Sequence, residues 1–214
     1  MSSKLFPLVL DLHNRPVLIA GEGSHALEKI RLLIESGAQV RLYCEPNDPN
    51  LDVVRAQVEW RSPPVAALDL DDVFFAVYAG EDRAEAERLF QLAESKCKLF
   101  CSVDDPAHCN VIFPAIARSG SVQVAISTSG LSPTLARRLK DQIQKEILGD
   151  HMGDFAEFLG YCRTNLNPRI SGFENKKKFW DRVFDSDVLE ILKSKGQEAA
   201  YKRVVDLLDL EQLP

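Results

Sequence analysis

The first strong pattern along the chain is an apolar run, Val17-Leu-Ile-Ala20, that ends at Gly21-Glu-Gly23-Ser-His-Ala26 and opens a helix, Leu27-Glu-Lys-Ile-Arg-Leu-Leu-Ile34. The helix stops at Ser36-Gly37 and a second apolar strand, Val40-Arg-Leu-Tyr-Cys44, follows at once. Upstream, Phe6 to Leu12 reads as a short strand or lead-in turned by His13-Asn-Arg-Pro16. Downstream, Pro46 to Asn50 is a loop by its turn residues, Leu51 to Gln57 a short helix, Val58 to Trp60 a short strand, and Ser62-Pro-Pro64 a break. Asp72 to Ala79 is nearly all apolar, as suits a strand covered on both faces of a parallel sheet. Glu81 to Ser95 is a helix with Ala84, Leu89, Phe90, Leu92 and Ala93 on its inner side, and Lys98 to Val103 is the next strand. This alternation predicts an α/β fold with a Rossmann-like, open, doubly wound parallel sheet and right-handed crossovers.

Beyond Asp104 the pattern changes. Val111 to Ala117 and Ser121 to Ser127 read as strands joined by Arg118-Ser-Gly-Ser, a hairpin rather than a crossover. Ser132 suits an N-cap and Pro133 the first turn of a helix that runs through Ile147. From His151 onward the reading is helical, with breaks at Asn167-Pro168 and near Asp185-Ser186.

Strand, glycine turn, helix and strand within about thirty residues form the unit that binds a dinucleotide pyrophosphate. Gly21 allows the tight turn, Gly23 lets backbone N–H groups approach phosphates, and Ala26 stands where only a small residue is needed. Ser24 and His25 complete the turn; His25 could approach a bound cofactor or simply be exposed. The helix start favours an anion. Glu22 would be harmless pointing outward and would repel pyrophosphate pointing inward. Glu45 is the acidic residue placed to hold ribose hydroxyls at the end of the second strand, and no arginine follows closely to take a 2′-phosphate, so NAD is favoured over NADP. A strand–helix turn without a nucleotide is the alternative.

The chain has 214 residues, 45% hydrophobic and 27% charged, with a formal net charge of −6. These values fit an ordinary globular protein and argue against a nucleic-acid surface across the molecule. No apolar run approaches the roughly 20 residues that span a bilayer. The start lacks the apolar core of a secretory signal, so a cytoplasmic setting without membrane partners is expected. Five cysteines include no CxxC pair, and the four histidines make no ligand pair at helical spacing, so no metal-binding residues are expected.

Four ordered blocks resemble the precorrin-2 dehydrogenase module, the N-terminal half of sirohaem synthase that also exists alone. They are Phe6 to Gly21 with its glycine turn; Ser102-Val-Asp-Asp-Pro106 followed by Ile112-Phe-Pro-Ala115; Val124 to Leu139; and the tail around Lys177-Lys-Phe-Trp180-Asp-Arg-Val-Phe184. The resemblance implies NAD⁺-dependent oxidation of precorrin-2 to sirohydrochlorin, with Fe²⁺ insertion to sirohaem in some members. It implies three regions: a Rossmann-like NAD-binding domain over 1–113, a small α+β dimerisation region over 114–148, and a helical C-terminal domain over 149–214. It further implies a homodimer, a tetrapyrrole between the nucleotide domain and the dimer region, and another protein to supply the substrate. A chelatase that has dropped the dinucleotide step and a non-catalytic tetrapyrrole carrier are the other readings.

The resemblance places Asp104 as the acid/base or chelation group; taken alone, Asp104-Asp-Pro106 also reads as a turn or helix cap. A carboxylate there could accept the proton lost on dehydrogenation. Ser127, Thr128, Ser129 and Gly130 form a polar loop before a helix start, suited to the carboxylates of the macrocycle. Arg137, Arg138 and Lys140 give the next helix a positive face, either for those carboxylates or for solvent or a dimer contact. Ala79-Gly80 occupies the cofactor-side position where relatives usually carry Ala-Thr. Lys176 to Lys178 read as a solvated face, and Phe179, Trp180 and Phe184 as a packing stripe.

Overall fold

A computed structural model describes residues 5–46 and 48–209. The chain divides into two compact units, one ending at Phe113 and the other starting at Pro114.

The first unit is a five-stranded, wholly parallel sheet in the order β3-β2-β1-β4-β5. Its strands are β1 (Pro16–Gly21), β2 (Gln39–Tyr43), β3 (Glu59–Arg61), β4 (Phe75–Ala79) and β5 (Leu99–Ser102), with helices α1 (Gly23–Glu35) and α2 (Arg83–Ser95). β1 is central, Val17 lying opposite Val40 of β2 on one side and Phe75 of β4 on the other. Successive residues serve opposite faces. Val17, Ile19, Phe75 and Val77 join Ala26, Ile30 and Leu33 of α1, whereas Leu18, Ala20, Ala76 and Tyr78 join Ala86, Leu89 and Ala93 of α2. Both faces are thereby buried, which is why β1 and β4 read as unbroken apolar runs. The chain order reverses between β2 and β4 across β1, and at such a switch point ligands bind beyond the carboxyl ends of the strands.

Arg41 of β2 bonds Glu59 of β3 (3.1 Å) and both carboxylate oxygens of Asp72 (2.6 Å each). The Arg41 hydrogen bond holds Asp72 below the usual carboxylate range, and Arg61 together with Arg41 does so for Glu59. A carboxylate whose folded-state pKa is lowered stabilises the fold above its unfolded pKa of about 4, and this contribution disappears as pH falls through the folded value. Both carboxylates are solvent-screened, so the effect stays below about 1 kcal/mol. The urea midpoint should therefore fall between about pH 5 and pH 3, and fall less in Asp72→Asn, which starts lower. Equal acid sensitivity in the two proteins would show that Asp72 contributes nothing to the acid response.

Several expectations change. Residues 5–12 form no strand: β1 is already paired on both sides, and only Leu10 and Leu12 reach the core. The segment over 52–57 is a 3-10 helix, and β4 starts only at Phe75. Ala84 is exposed on the first turn of α2, which Asp82 caps by accepting from the Ala84 N–H (2.9 Å); Ala86 takes the buried position instead. Residues 111–114 are not strand, since Pro114 has no N–H to give a ladder.

The second unit opens with the antiparallel hairpin β6 (Ala115–Ser119) and β7 (Val122–Ile126), with Ala115 opposite Ile126. Four helices follow: α3 (Pro133–Ile143), α4 (Met152–Leu166), α5 (Phe173–Phe184) and α6 (Val188–Asp209). Ser132 caps α3 through the Leu135 N–H, and Pro133 sits in its first turn, as the sequence predicts. α3 ends at Ile143 and passes into a π-helical turn over Gln144–Leu148, so the regular helix is shorter than expected. The Gln144 amide explains this widening. It accepts from the Arg118 N–H and donates to the Arg118 carbonyl, both at 2.9 Å, pairing with β6 as a strand would. The helices bury Phe155, Phe158, Cys162, Leu166, Phe179, Val183 and Val204 in one core. α6 is kinked at Gly196, a break that the helical reading of the tail did not contain.

Candidate dinucleotide cleft

Gly21 ends β1 with a positive φ of 142°, and a Cβ there would lie 2.4 Å from the Ala79 carbonyl oxygen. Only glycine lets β1 and β4 keep this approach. Glu22 follows in extended conformation as the N-cap residue of α1, and its side chain makes no capping bond. The helix start is therefore not closed by its own cap. Its first N–H, from Gly23, instead donates to Oδ2 of Asp48 at 2.6 Å. That bond holds the Asp48 carboxyl below its ordinary pKa. A carboxylate of the chain itself thus stands on the N–H group that an incoming phosphate would use.

Around this helix start lies a cavity of about 990 Å³ beyond the carboxyl ends of β1, β2, β4 and β5. It is large enough for a dinucleotide. Gly21, Glu22, Gly23, Ser24, His25, Glu45, Ala79, Gly80 and Asp104 all line it, so the structure brings together residues chosen from four separate stretches of sequence. Ala26 does not line it. On the inner face of α1 it is fully buried against the sheet, so its smallness serves close packing in the glycine turn and it is not itself a cofactor-contacting residue. Glu22, Ser24 and His25 are exposed.

Residues to which the sequence assigns no role complete the wall, among them Tyr78, Ser102, Asp82 and Arg83. The Tyr78 phenol folds over Gly80, where a Cβ would meet its oxygen at 2.5 Å. A threonine at position 80 would require that ring to shift, and the phenol hydroxyl supplies a polar group beside the same stretch of β4. Burial raises the Tyr78 pKa, so it is a neutral donor or acceptor at physiological pH.

Asp104 sits in the turn after β5 with φ of 59°, a left-handed conformation costing about 1–2 kcal/mol for a residue with a Cβ. The flanking backbone holds it there. The Val103 N–H donates to the Tyr78 carbonyl (2.8 Å), the Asp105 N–H to the Ser102 carbonyl (3.3 Å) and the His108 N–H to the Asp105 carbonyl (3.1 Å). Asp105 pairs with His108 Nδ1 at 2.7 Å and Asp82 caps α2, whereas Asp104 is an exposed carboxylate on the cleft wall.

The cleft is acidic. Glu22, Glu45 and Asp48 gather near the end of β2 and, after burial itself, help push the Cys44 thiol up to about 11. Among the described residues no three or more His, Cys, Asp or Glu side chains are placed to hold a metal ion.

In the second unit, Ser127, Thr128, Ser129 and Gly130 form a tight turn before α3. Thr128 Oγ1 accepts from the Ser132 N–H (3.1 Å), Ser127 Oγ from the Ser129 N–H (3.1 Å), and Ser129 and Gly130 both have positive φ. Arg137 and Arg138 are exposed and make no ion pair with a described residue. Phe179 is buried and Trp180 half-buried, its Nε1 donating to Asn167 Oδ1 at 2.9 Å; Phe184 is exposed, so the expected stripe packs only in part.

Comparison with known proteins agrees with this arrangement. Residues 8–115 match a family model described as NAD(P)-binding, residues 119–146 the sirohaem biosynthesis protein central region, and residues 151–208 the sirohaem synthase dimerisation region. The chain belongs to the sirohaem synthase family. Of that family it carries the NAD(P)-binding, central and dimerisation regions. Siroheme synthases of Mannheimia succiniciproducens (34% identical), Klebsiella pneumoniae (35%) and Neisseria meningitidis (33%) match over 93–95% of this chain and 42–43% of their own length. The chain therefore spans less than half the length of these siroheme synthases. A solved structure described as SirC, precorrin-2 dehydrogenase, superposes with a TM-score of 0.76 at 23% identity, covering 94% of this chain and 100% of that one, and shows the same fold. Among the described residues no helix is long and apolar enough to cross a membrane.

Proposed function

We propose that this chain oxidises precorrin-2 to sirohydrochlorin with NAD⁺, as a homodimer in the cytoplasm. The observation that carries the reading is a single cavity walled by both the glycine turn and Asp104, in a chain of the sirohaem synthase family. The residues fit the cofactor. The uncapped start of α1 offers N–H groups to the pyrophosphate once Asp48 has swung aside, and Glu45 stands where ribose hydroxyls would lie. Glu45 and Asp48 beside that position oppose a 2′-phosphate, which favours NAD over NADP.

When bound, NAD⁺ supplies the hydride acceptor. The chain supplies the rest: precorrin-2 loses a hydride and a proton, and the Asp104 carboxylate accepts the proton. Arg137 and Arg138, with the hydroxyls and N–H groups of Ser127 to Gly130, are the groups proposed to bind the carboxylates of the macrocycle.

A second reading, chelation of Fe²⁺ by sirohydrochlorin without the dinucleotide step, is favoured by Asp48 on the Gly23 N–H and by the exposed Glu22. Anaerobic incubation separates the two. Precorrin-2 with NAD⁺ should yield NADH and sirohydrochlorin in equal amounts. Sirohaem formed from sirohydrochlorin and Fe²⁺, with no NADH from precorrin-2, would select the second reading.

Asp48 gives a direct test of the cradle. Its charged hydrogen bond competes with the pyrophosphate for one N–H, and asparagine keeps the shape without the charge. Asp48→Asn should bind NAD⁺ roughly three- to tenfold more tightly by calorimetry, the scale expected when a charge-assisted bond no longer competes. Unchanged or weaker binding would make Asp48 a mere loop anchor.

A further inference from the structure

The turn that carries Asp104 is closed at its base by two cysteines. Cys101 lies in β5, and Cys109 faces it across an isolated antiparallel bridge with the sulfurs 3.9 Å apart. Directly opposed residues of an antiparallel pair have Cα atoms about 4.5–5.5 Å apart. That interval falls inside the range of about 4.4–6.8 Å compatible with a disulfide, so joining the sulfurs calls for side-chain rotation more than for backbone movement. Cys109 Sγ is also within hydrogen-bond reach of the Ser102 carbonyl (3.2 Å) and the Asp105 carbonyl (3.3 Å), and it accepts from the Ser102 N–H (3.2 Å). These groups flank Asp104, so the Cys109 thiol is part of what holds its turn. His108 and Asp105 nearby are engaged with each other and, among the described residues, complete no metal site.

We propose that Cys101 and Cys109 are a redox pair whose reversible disulfide reshapes the Asp104 turn, with a low-molecular-weight disulfide such as oxidised glutathione as the oxidant. Cys109 is half-buried and Cys101 buried, which sets the order of events. The Cys109 thiolate attacks one sulfur of oxidised glutathione, forming a mixed disulfide and releasing one glutathione thiolate. Cys101, having lost its proton to solvent, then attacks Cys109 Sγ and releases the second. The two thiols give up two protons and two electrons, and the electrons reduce one glutathione disulfide to two thiols. Hydrogen bonding from the Cys101 thiol and the Ser102 N–H lowers the Cys109 pKa, while the same thiol–thiol bond and burial raise that of Cys101. Cys109 is therefore the attacking group. As its sulfur turns to Cys101 it leaves the Ser102 and Asp105 carbonyls, and the left-handed Asp104 loses those supports. The bond itself depends only on the geometry of the thiols; its effect on turnover rests on the reading of Asp104 as proton acceptor.

The test uses the full chain and Cys97→Ser, which removes the exposed thiol. Each is incubated with oxidised glutathione, alkylated and peptide-mapped. The expected product is a linked Cys101–Cys109 peptide lacking two hydrogens, undone by dithiothreitol, whereas Cys101→Ser retains glutathione on Cys109. Oxidised Cys97→Ser should turn over precorrin-2 about tenfold or more slowly, recovering on reduction. Glutathione on Cys97 alone, with no linked peptide in either protein, overturns the pair. A linked peptide with unaltered turnover overturns the switch while leaving the pair, and absence of turnover even in the reduced protein would instead strike the proposed function.

Discussion

Asp104→Asn is expected to lower kcat for precorrin-2 oxidation by about 10²–10⁴-fold, the usual contribution of a positioned acid/base group. Its NAD⁺ affinity should stay within about twofold, because the role proposed for the lost group is to accept a proton and not to hold the cofactor. Asparagine is the informative replacement at this position. With φ of 59°, residue 104 must tolerate the left-handed region, and asparagine does so as readily as aspartate, whereas alanine would add strain to the loss of charge. Stopped-flow measurement of NADH formation, alongside calorimetric titration of NAD⁺, separates the two quantities. A kcat unchanged by the asparagine would return Asp104 to the role of a turn residue.

Phe179→Ala is expected to destabilise the helical unit by about 3–5 kcal/mol, the range for truncating a fully buried phenylalanine. Phe179 is 0% exposed, packs edge-on against Trp180 with ring centroids 4.9 Å apart, and lies in the core shared by α4, α5 and α6. Removing the ring leaves a void that the surrounding helices can close only in part. Phe184, on the same helix but 63% exposed, is the control: Phe184→Ala should cost less than about 1 kcal/mol. Urea unfolding followed by helical circular dichroism reads both. Similar losses at the two positions would contradict the assignment of the core.

The parts legible in the sequence were those written in local pattern. The β1–α1–β2 unit declares itself because the apolar run, the Gly21 turn and the Ser36-Gly37 stop are contiguous, and Ser132-Pro133 marks the start of α3 for the same reason. Asp104 belongs to a motif in the sequence and lies on the cleft wall because β5 ends at the carboxyl edge of a parallel sheet. What escaped was tertiary. No pattern in residues 5–12 tells that β1 has both neighbours already. Nothing near Asp48 in sequence signals that it reaches the Gly23 N–H, 25 residues away. Tyr78 looks like one more apolar strand residue until Gly80 is seen beneath its ring. The π-helical turn at Gln144 follows from an amide that binds Arg118, 26 residues earlier. Cys101 and Cys109 lack any motif spacing, and only the antiparallel bridge sets their sulfurs side by side.

A dinucleotide and a carboxylate are proposed to share one groove, and a crystal structure of the chain with NAD⁺ tests that most directly. The expected result is pyrophosphate on the N–H groups at Gly23 and Ser24, Asp48 displaced from Gly23, and the nicotinamide on the same side of the groove as Asp104. Asp48 still bonded to Gly23 at saturating NAD⁺, with no dinucleotide in the groove, would contradict it.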